Sequence, residues 1–157
     1  MGPVRLGLVV AGRPDIVVAA TMDAVAGGER AFVESALPGE AWATYSDLLG
    51  PDDCGAIDRE AYRRARSWFR PDGAGDDPTE IEGASLGRAC ELRSTAMLVA
   101  YLRARSVLTR LLDAGPVSRV QIRGAGEEWA VAARSLGLDV DGRSRIGRSL
   151  ASIVPDP

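Results

Sequence analysis

The stretch SLGRACELRSTAMLVAYLRARSVLTRLLD, residues 85–113, sets the architecture of this chain. Ser85 offers an N-cap hydroxyl. Behind the stretch, Gly115 suits a left-handed C′ position and Pro116 cannot continue a helix. At 1.5 Å per residue the segment makes a rod of roughly 40 Å, about the width of a whole domain of this size. On a helical wheel Leu86, Cys90, Met97, Ala100, Ala104, Val107, Leu108 and Leu111 share one face, and Arg88, Glu91, Arg103, Arg110 and Asp113 take the other. No charge occurs between Arg93 and Arg103, and Leu98, Val99 and Leu102 lie toward the polar side. The middle of the helix therefore needs cover on its back, from the preceding helix, from a second domain or from a second copy of the chain. Arg93 falls inside the apolar face, where a guanidinium needs a structural ion pair, a route out to solvent, or a ligand anion.

Before this helix, Asp58 caps a predicted helix REAYRRARSWFR, with Ala61, Ala65, Trp68 and Phe69 as its apolar face. Arg59, Arg63, Arg66 and Arg70 form a stripe opposite, balanced by Asp52, Asp53, Asp72, Asp76 and Asp77, and read as a solvated face. The run PDGAGDDP, 71–78, has loop composition throughout. After the long helix, SRVQIR (118–123) alternates as a strand, Gly124-Ala125-Gly126 turns into a helix over 127–136, and Leu138–Val140 reads as a short strand, completing a βαβ unit.

Toward the N-terminus, VRLGLVVA (4–11) reads as a buried strand and Gly12-Arg13-Pro14-Asp15 as a turn. Residues 16–26 are open between two readings. β-Branching in IVVAAT favours a strand, while the alanines and the Gly27-Gly28 stop favour a helix, which would make a βαβ unit and is preferred here. Residues 29–37 read as one or two helical turns, 41–46 (AWATYS) as a strand, and 145–153 as a last helix. The order β, α, β, α, long α, β, α, β predicts an α/β fold, a mostly parallel sheet flanked by helices, as a single domain over 1–157 with one long helix at about 86–113.

Composition removes several chemistries. The 157 residues contain no His and no Lys, and all 19 basic residues are Arg. Without His there is no Ser-His-Asp or Cys-His pair and no imidazole metal ligand; without Lys there is no P-loop lysine and no Schiff base. No metal site and no cofactor is expected. A net charge of −3 argues against nucleic-acid binding, which needs a basic face. Cys54 and Cys90 make neither a zinc site nor a disulfide framework, and Cys90 reads as core filler. No apolar run is long enough for a transmembrane segment and no secretion signal is visible, so a cytoplasmic location is expected. Aromatic residues are only 5% of the chain, so aliphatic side chains and alanine must fill the core.

No catalytic residue can be named. Gly124-Ala125-Gly126 lacks the third glycine of a dinucleotide fingerprint, Trp129 standing in its place, and Glu127 and Glu128 would repel a phosphate there. Candidate ligand or anion sites are Gly12 and Arg13 after the first strand, and Glu82, Ser85, Arg88 and Arg93 around the start of the long helix. Leu98, Val99 and Leu102 are candidate interface residues.

SDLL at 46–49, the helix DREAYRRARSWF, then EGASLGR at 82–88 with the long helix, then EEWAVAARSLGL leading into a short strand, together resemble the N-terminal half of bacterial GT-B-type glycosyltransferases of surface-polysaccharide or glycolipid synthesis. The resemblance rests on the order and spacing of elements. It implies a Rossmann-like domain that faces the acceptor, with the nucleotide sugar held by a second, donor-binding domain across a cleft. The Gly-rich and His-containing donor motifs of that family are absent here. The chain would then be a fragment or half of a two-domain protein, unable to transfer sugar alone. Its expected partner is that second domain or, on a non-catalytic interaction reading, a second copy of the chain.

Overall fold

A computed structural model describes residues 15–38, 40–67 and 77–141. The strand read at 4–11, Gly12, Arg13, Trp68, Phe69, Arg70 and the helix read at 145–153 lie outside the described residues. Along the chain the elements are β1 (Ile16–Ala19), β2 (Ala31–Val33), α1 (Tyr45–Leu48), α2 (Pro51–Ser67), β3 (Glu80–Ile81), β4 (Ala84–Ser85), α3 (Leu86–Asp113), β5 (Arg119–Arg123), α4 (Glu127–Ser135) and β6 (Asp139–Asp141).

Four of the strands form one fully parallel sheet in the order β2-β1-β5-β6. β1 is its centre, with Val17 opposite Ala31 on one side and opposite Gln121 on the other. Ile16, Val18, Phe32 and Val120 point to the face covered by the helices, where they meet Ile57 and Ala61 of α2, Leu108 and Leu111 of α3, and Trp129 and Ala133 of α4. Val17, Ala19, Ala31 and Val33 point the other way and pack against Ala24, Val25, Ala36 and Ala41 of the connecting segments. The steps β2→β5 and β5→β6 move the same way across the sheet and keep their helices on one face. The step β1→β2 moves the opposite way and lies on the other face. That is what a single handedness of crossover requires.

The first third of the described chain departs from the sequence expectation. The preferred helix at 16–26 is instead the strand β1 followed by one 3-10 turn, Met22–Ala24. β-Branching decides it: IVV is buried on both faces of a central strand, where alternation disappears. The helical turns read at 29–37 are β2. The strand read at 41–46 contributes only a bridge, Ala43 to Phe32, and then gives way to α1. The Asp47 carboxylate stops the extension by accepting from the backbone N–H and the hydroxyl of Thr44, at 2.8 and 2.7 Å.

α2 starts eight residues earlier than the Asp58 cap implies, at Pro51. Proline pre-sets the first helical φ, and Asp52 and Asp53 suit the positive helix end, with Asp53 accepting from Gly50 N–H at 2.9 Å. Ile57, Ala61 and Ala65 form its buried stripe. Of the arginines opposite, Arg63 donates to Glu60 at 2.8 Å, and the same carboxylate accepts from Arg64 at 2.6 Å.

α3 has the expected bounds and the expected Ser85 N-cap. Its C-terminus closes on Ala114 in the right-handed region, without the left-handed glycine expected at Gly115. It runs antiparallel to α2, as ion pairs Asp53–Arg110 (2.6 Å), Asp58–Arg103 (3.3 Å) and Glu91–Arg66 (4.0 Å) show. Such exposed pairs contribute about 0–1 kcal/mol each, so the apolar seam holds the helices together. The helix outruns the sheet: 28 residues make roughly 40 Å, whereas strands of three to five residues span at most ~17 Å. Only its second half lies over the sheet, burying Leu102, Ala104, Val107, Leu108 and Leu111. In its first half the wheel misleads. Leu86, Met97 and Arg93 are exposed, while Leu98 and Val99 pack on the core.

Candidate functional site

In open parallel sheets, ligands gather outside the carboxyl ends of the strands where the strand order reverses. Here that point lies between β1 and β5. Around it stand Ala20-Thr21 after β1, Glu34-Ser35 after β2, and Gly124-Ala125-Gly126 after β5. Ser35 Oγ donates to Ala20 O at 2.7 Å, tying the ends of β2 and β1 together. Arg123, at the end of β5, is fully engaged: it grips the Glu29 carboxylate with two nitrogens at 2.7 and 2.9 Å and donates to Ala24 O at 2.9 Å. It fastens the β1–β2 connection to β5 and is not free to meet a ligand.

Past the end of β2, beside this point, is a polar centre set in aromatic surroundings. The Glu34 carboxylate accepts from the indole N–H of Trp129 at 2.7 Å, and the Tyr45 hydroxyl lies 3.5 Å from the same oxygen. Trp129 is fully buried, so its N–H needs an acceptor. Phe32 fills the angle between them, edge-on to Tyr45 with ring centroids 5.0 Å apart and 5.0 Å from Trp129. Burial, and after it the charge of Glu34, pushes the Tyr45 phenol well above the ordinary tyrosine range; Arg103 pulls the other way and Glu128 adds to the rise. Tyr45 is therefore a neutral hydrogen-bonding group. Glu34 is the carboxylate acceptor of this centre.

α4 opens on Gly126 with no side-chain cap, but the Glu128 carboxylate folds back over that residue. A Cβ at Gly126 would lie 2.2 Å from its oxygens. A negative group already faces the positive end of α4, which leaves that end unsuited to a phosphate.

The sequence-predicted anion site divides. Glu82 (φ 51°) and Gly83 (φ 81°) form the two central positions of the β3–β4 turn. Ser85 Oγ accepts from Arg88 N–H at 2.9 Å and donates to Asp77. Thr79 takes the other two first-turn donors, its carbonyl from Leu86 N–H at 3.2 Å and its hydroxyl from Gly87 N–H at 2.8 Å. The structure brings Glu82, Ser85 and Arg88 into one capped unit whose first three N–H groups are already bonded, with the Asp77 carboxylate at the positive end. Arg93 stands more than a turn further on and is exposed. Leu102 is buried, and Leu98 and Val99 are partly buried against the core. Glu34 and Tyr45 were not singled out from sequence; Trp129 and Glu128 were, but only as features that argue against a phosphate at the start of α4. The one available signal was that a buried tryptophan requires a partner, and nothing local says which of the 22 acidic residues provides it.

Among the described residues no group of His, Cys, Asp and Glu could hold a metal ion, and no helix is long and apolar enough to cross a membrane. Compared with protein-family models, with curated proteins and with solved structures, the chain has no significant match in any of the three. The shared ground with known folds is thus the Rossmann-like arrangement itself, a parallel four-stranded sheet with flanking helices.

Proposed function

We propose that this chain is the acceptor-side half of a GT-B-like glycosyltransferase of surface-polysaccharide or glycolipid synthesis, completed by a separate nucleotide-sugar-binding domain. The observation that carries the reading is the strand order β2-β1-β5-β6, whose reversal between β1 and β5 marks the place at the carboxyl ends where ligands of open parallel sheets gather. Glu34 at its edge offers a carboxylate to a sugar hydroxyl, and the Glu128 carboxylate over the start of α4 disfavours a nucleotide phosphate. Both fit an acceptor side better than a donor side. The test is binding of a panel of acceptor glycans and of nucleotide sugars to the purified chain, followed by calorimetry or NMR shifts. The reading expects acceptor binding that Glu34→Gln weakens, no nucleotide-sugar binding and no turnover. Tight nucleotide binding, or sugar transfer by the 157-residue chain alone, would overturn it.

A second reading, a non-catalytic interaction module, is favoured by one observation: the first half of α3 leaves large apolar side chains in solvent.

A further inference from the structure

The Glu34 carboxylate is held by one of its oxygens only. Oε1 accepts from the indole N–H of Trp129 at 2.7 Å and lies 3.5 Å from the Tyr45 hydroxyl. Oε2 bonds to no described residue. Among the described residues, the buried side-chain polar atoms without a partner are on Arg30 and Arg103, so Oε2 is open to solvent.

The anchor behind Oε1 is firm. Trp129 is fully buried, and its ring centroid lies 5.0 Å from that of Phe32, which is also fully buried. The Glu34 N–H donates to Ala19 O at the end of β1, at 3.0 Å. An N–H bonded to a carboxylate is a charge-assisted contact, stronger than a neutral one. Backbone and side chain of Glu34 are therefore both fixed before any ligand arrives, and one carboxylate oxygen is left over. An indole in need of an acceptor requires neither that second oxygen nor a charge, since a carbonyl would serve. Groups oriented in advance lose less freedom on binding.

Tyr45 supplies the complementary group. Its ring stands edge-on to Phe32, and its hydroxyl is not committed, because 3.5 Å is at the limit of a hydrogen bond. The surrounding charge selects the ligand. The Glu34 and Glu128 carboxylates both act on this phenol, while Arg103, which opposes them, is paired with Asp58 at 3.3 Å. Two carboxylates disfavour a phosphate or a carboxylate here. A hydroxyl fits, because it can donate to Oε2 and accept from the Tyr45 O–H at once.

We propose that Trp129 is a positioning residue, which fixes Glu34 Oε1 so that Oε2 and the Tyr45 hydroxyl together receive one hydroxyl of an uncharged sugar. The inference rests on the acceptor-side reading above and deepens it by naming the residues that pick out that hydroxyl.

The test is a chemical-shift titration of the full chain with methyl hexopyranosides, then with the monodeoxy analogues of a glycoside that binds. The wild type is expected to bind at least one, with a shift of the Trp129 indole N–H resonance. Removing one particular hydroxyl of the sugar should weaken binding about tenfold or more. Trp129→Phe and Tyr45→Phe, checked for folding by circular dichroism, should bind the parent sugar more weakly and its deoxy analogue as the wild type does. A merely structural Trp129 would weaken both sugars alike. Should Trp129→Phe not fold, Tyr45→Phe, which removes one oxygen and keeps the ring, makes the same comparison. Val131→Ala, at an exposed position of α4, leaves both affinities unchanged. Discrimination retained in Trp129→Phe or Tyr45→Phe, or a sugar on which no single hydroxyl matters, overturns this proposal and leaves the acceptor-side reading standing. A wild-type chain that binds none of the glycosides overturns both.

Discussion

Replacing Glu34 by Leu tests whether a single carboxylate holds the aromatic cluster together. Trp129 is fully buried and its N–H has Glu34 as acceptor at 2.7 Å. Leucine removes the acceptor and leaves the donor in place, and an unmet buried donor costs about 1–3 kcal/mol. The Tyr45 contact at 3.5 Å adds almost nothing, being at the limit of a hydrogen bond. Glutamine keeps an acceptor oxygen in the same place and trades a charge-assisted bond for a neutral one, a loss of about 1 kcal/mol. Chemical denaturation followed by far-ultraviolet circular dichroism should therefore rank the proteins wild type, Glu34→Gln, Glu34→Leu. At ~2–4 °C per kcal/mol for a chain of this size, Glu34→Leu should melt about 2–12 °C lower. Trp129→Phe keeps the ring stacking on Phe32 and deletes the donor, so in that background Glu34→Leu should cost at least ~1 kcal/mol less, a coupling measurable in a double-mutant cycle. Equal stabilities for Gln and Leu, or no coupling to Trp129, would refute the reasoning.

Three further outcomes are expected. Asp15 accepts from Ser118 N–H and Oγ and from Arg119 N–H at 2.6, 2.8 and 2.9 Å; burial raises its pKa, but these bonds outweigh burial and hold it below the ordinary value. A folded pKa below the unfolded one, ~3.9, means that its stabilisation is fully present above that pH and is lost as pH falls through the folded value. Asp15→Asn should accordingly flatten the acid limb of the stability profile below pH ~4, read from melting temperature against pH. Leu108→Ala should cost about 2–5 kcal/mol in denaturant unfolding through the cavity it leaves, while Val131→Ala, at an exposed position of α4, stays within ~0.5 kcal/mol; equal costs would contradict the assignment of the core face. Ser85→Ala should cost ~0.5–2 kcal/mol by exposing Arg88 N–H and releasing Asp77, and Ser85→Thr should recover most of it in the same assay.

The second half of the fold was legible and the first third was not, for a physical reason. α3 announces itself by a cap, a long period-3.6 pattern and a stop, and β5, α4 and β6 each sit between glycine turns. β1 and β2 are three or four residues long and buried on both faces, so they carry no alternation. IVVAAT between a proline and a double glycine is then equally a helix, and RAFVESAL has ordinary helix-forming residues on either side of its strand. The error on α3 is of another kind. A wheel assigns one inward face to a whole helix, but only the second half of this one lies over the sheet, and Leu86 and Leu102 exchange the roles the wheel gave them. The centre at Glu34 could not be seen at all, because its bond to Trp129 joins residues 95 positions apart and no spacing rule reaches that far.

β1 sits at the middle of the sheet yet is formed by residues near the start of the chain, and 103 positions separate Asp15 from its partner Ser118. During synthesis one flank of that strand waits for its described partner, Arg119–Arg123, to leave the ribosome. Closing so distant a pair carries a large entropic toll and slows folding, while the bare edge invites the wrong neighbour. The α2–α3 hairpin, local and cooperative, is the part able to form in that interval. Pulse-labelled hydrogen exchange should find amides of α3 protected before those of β1.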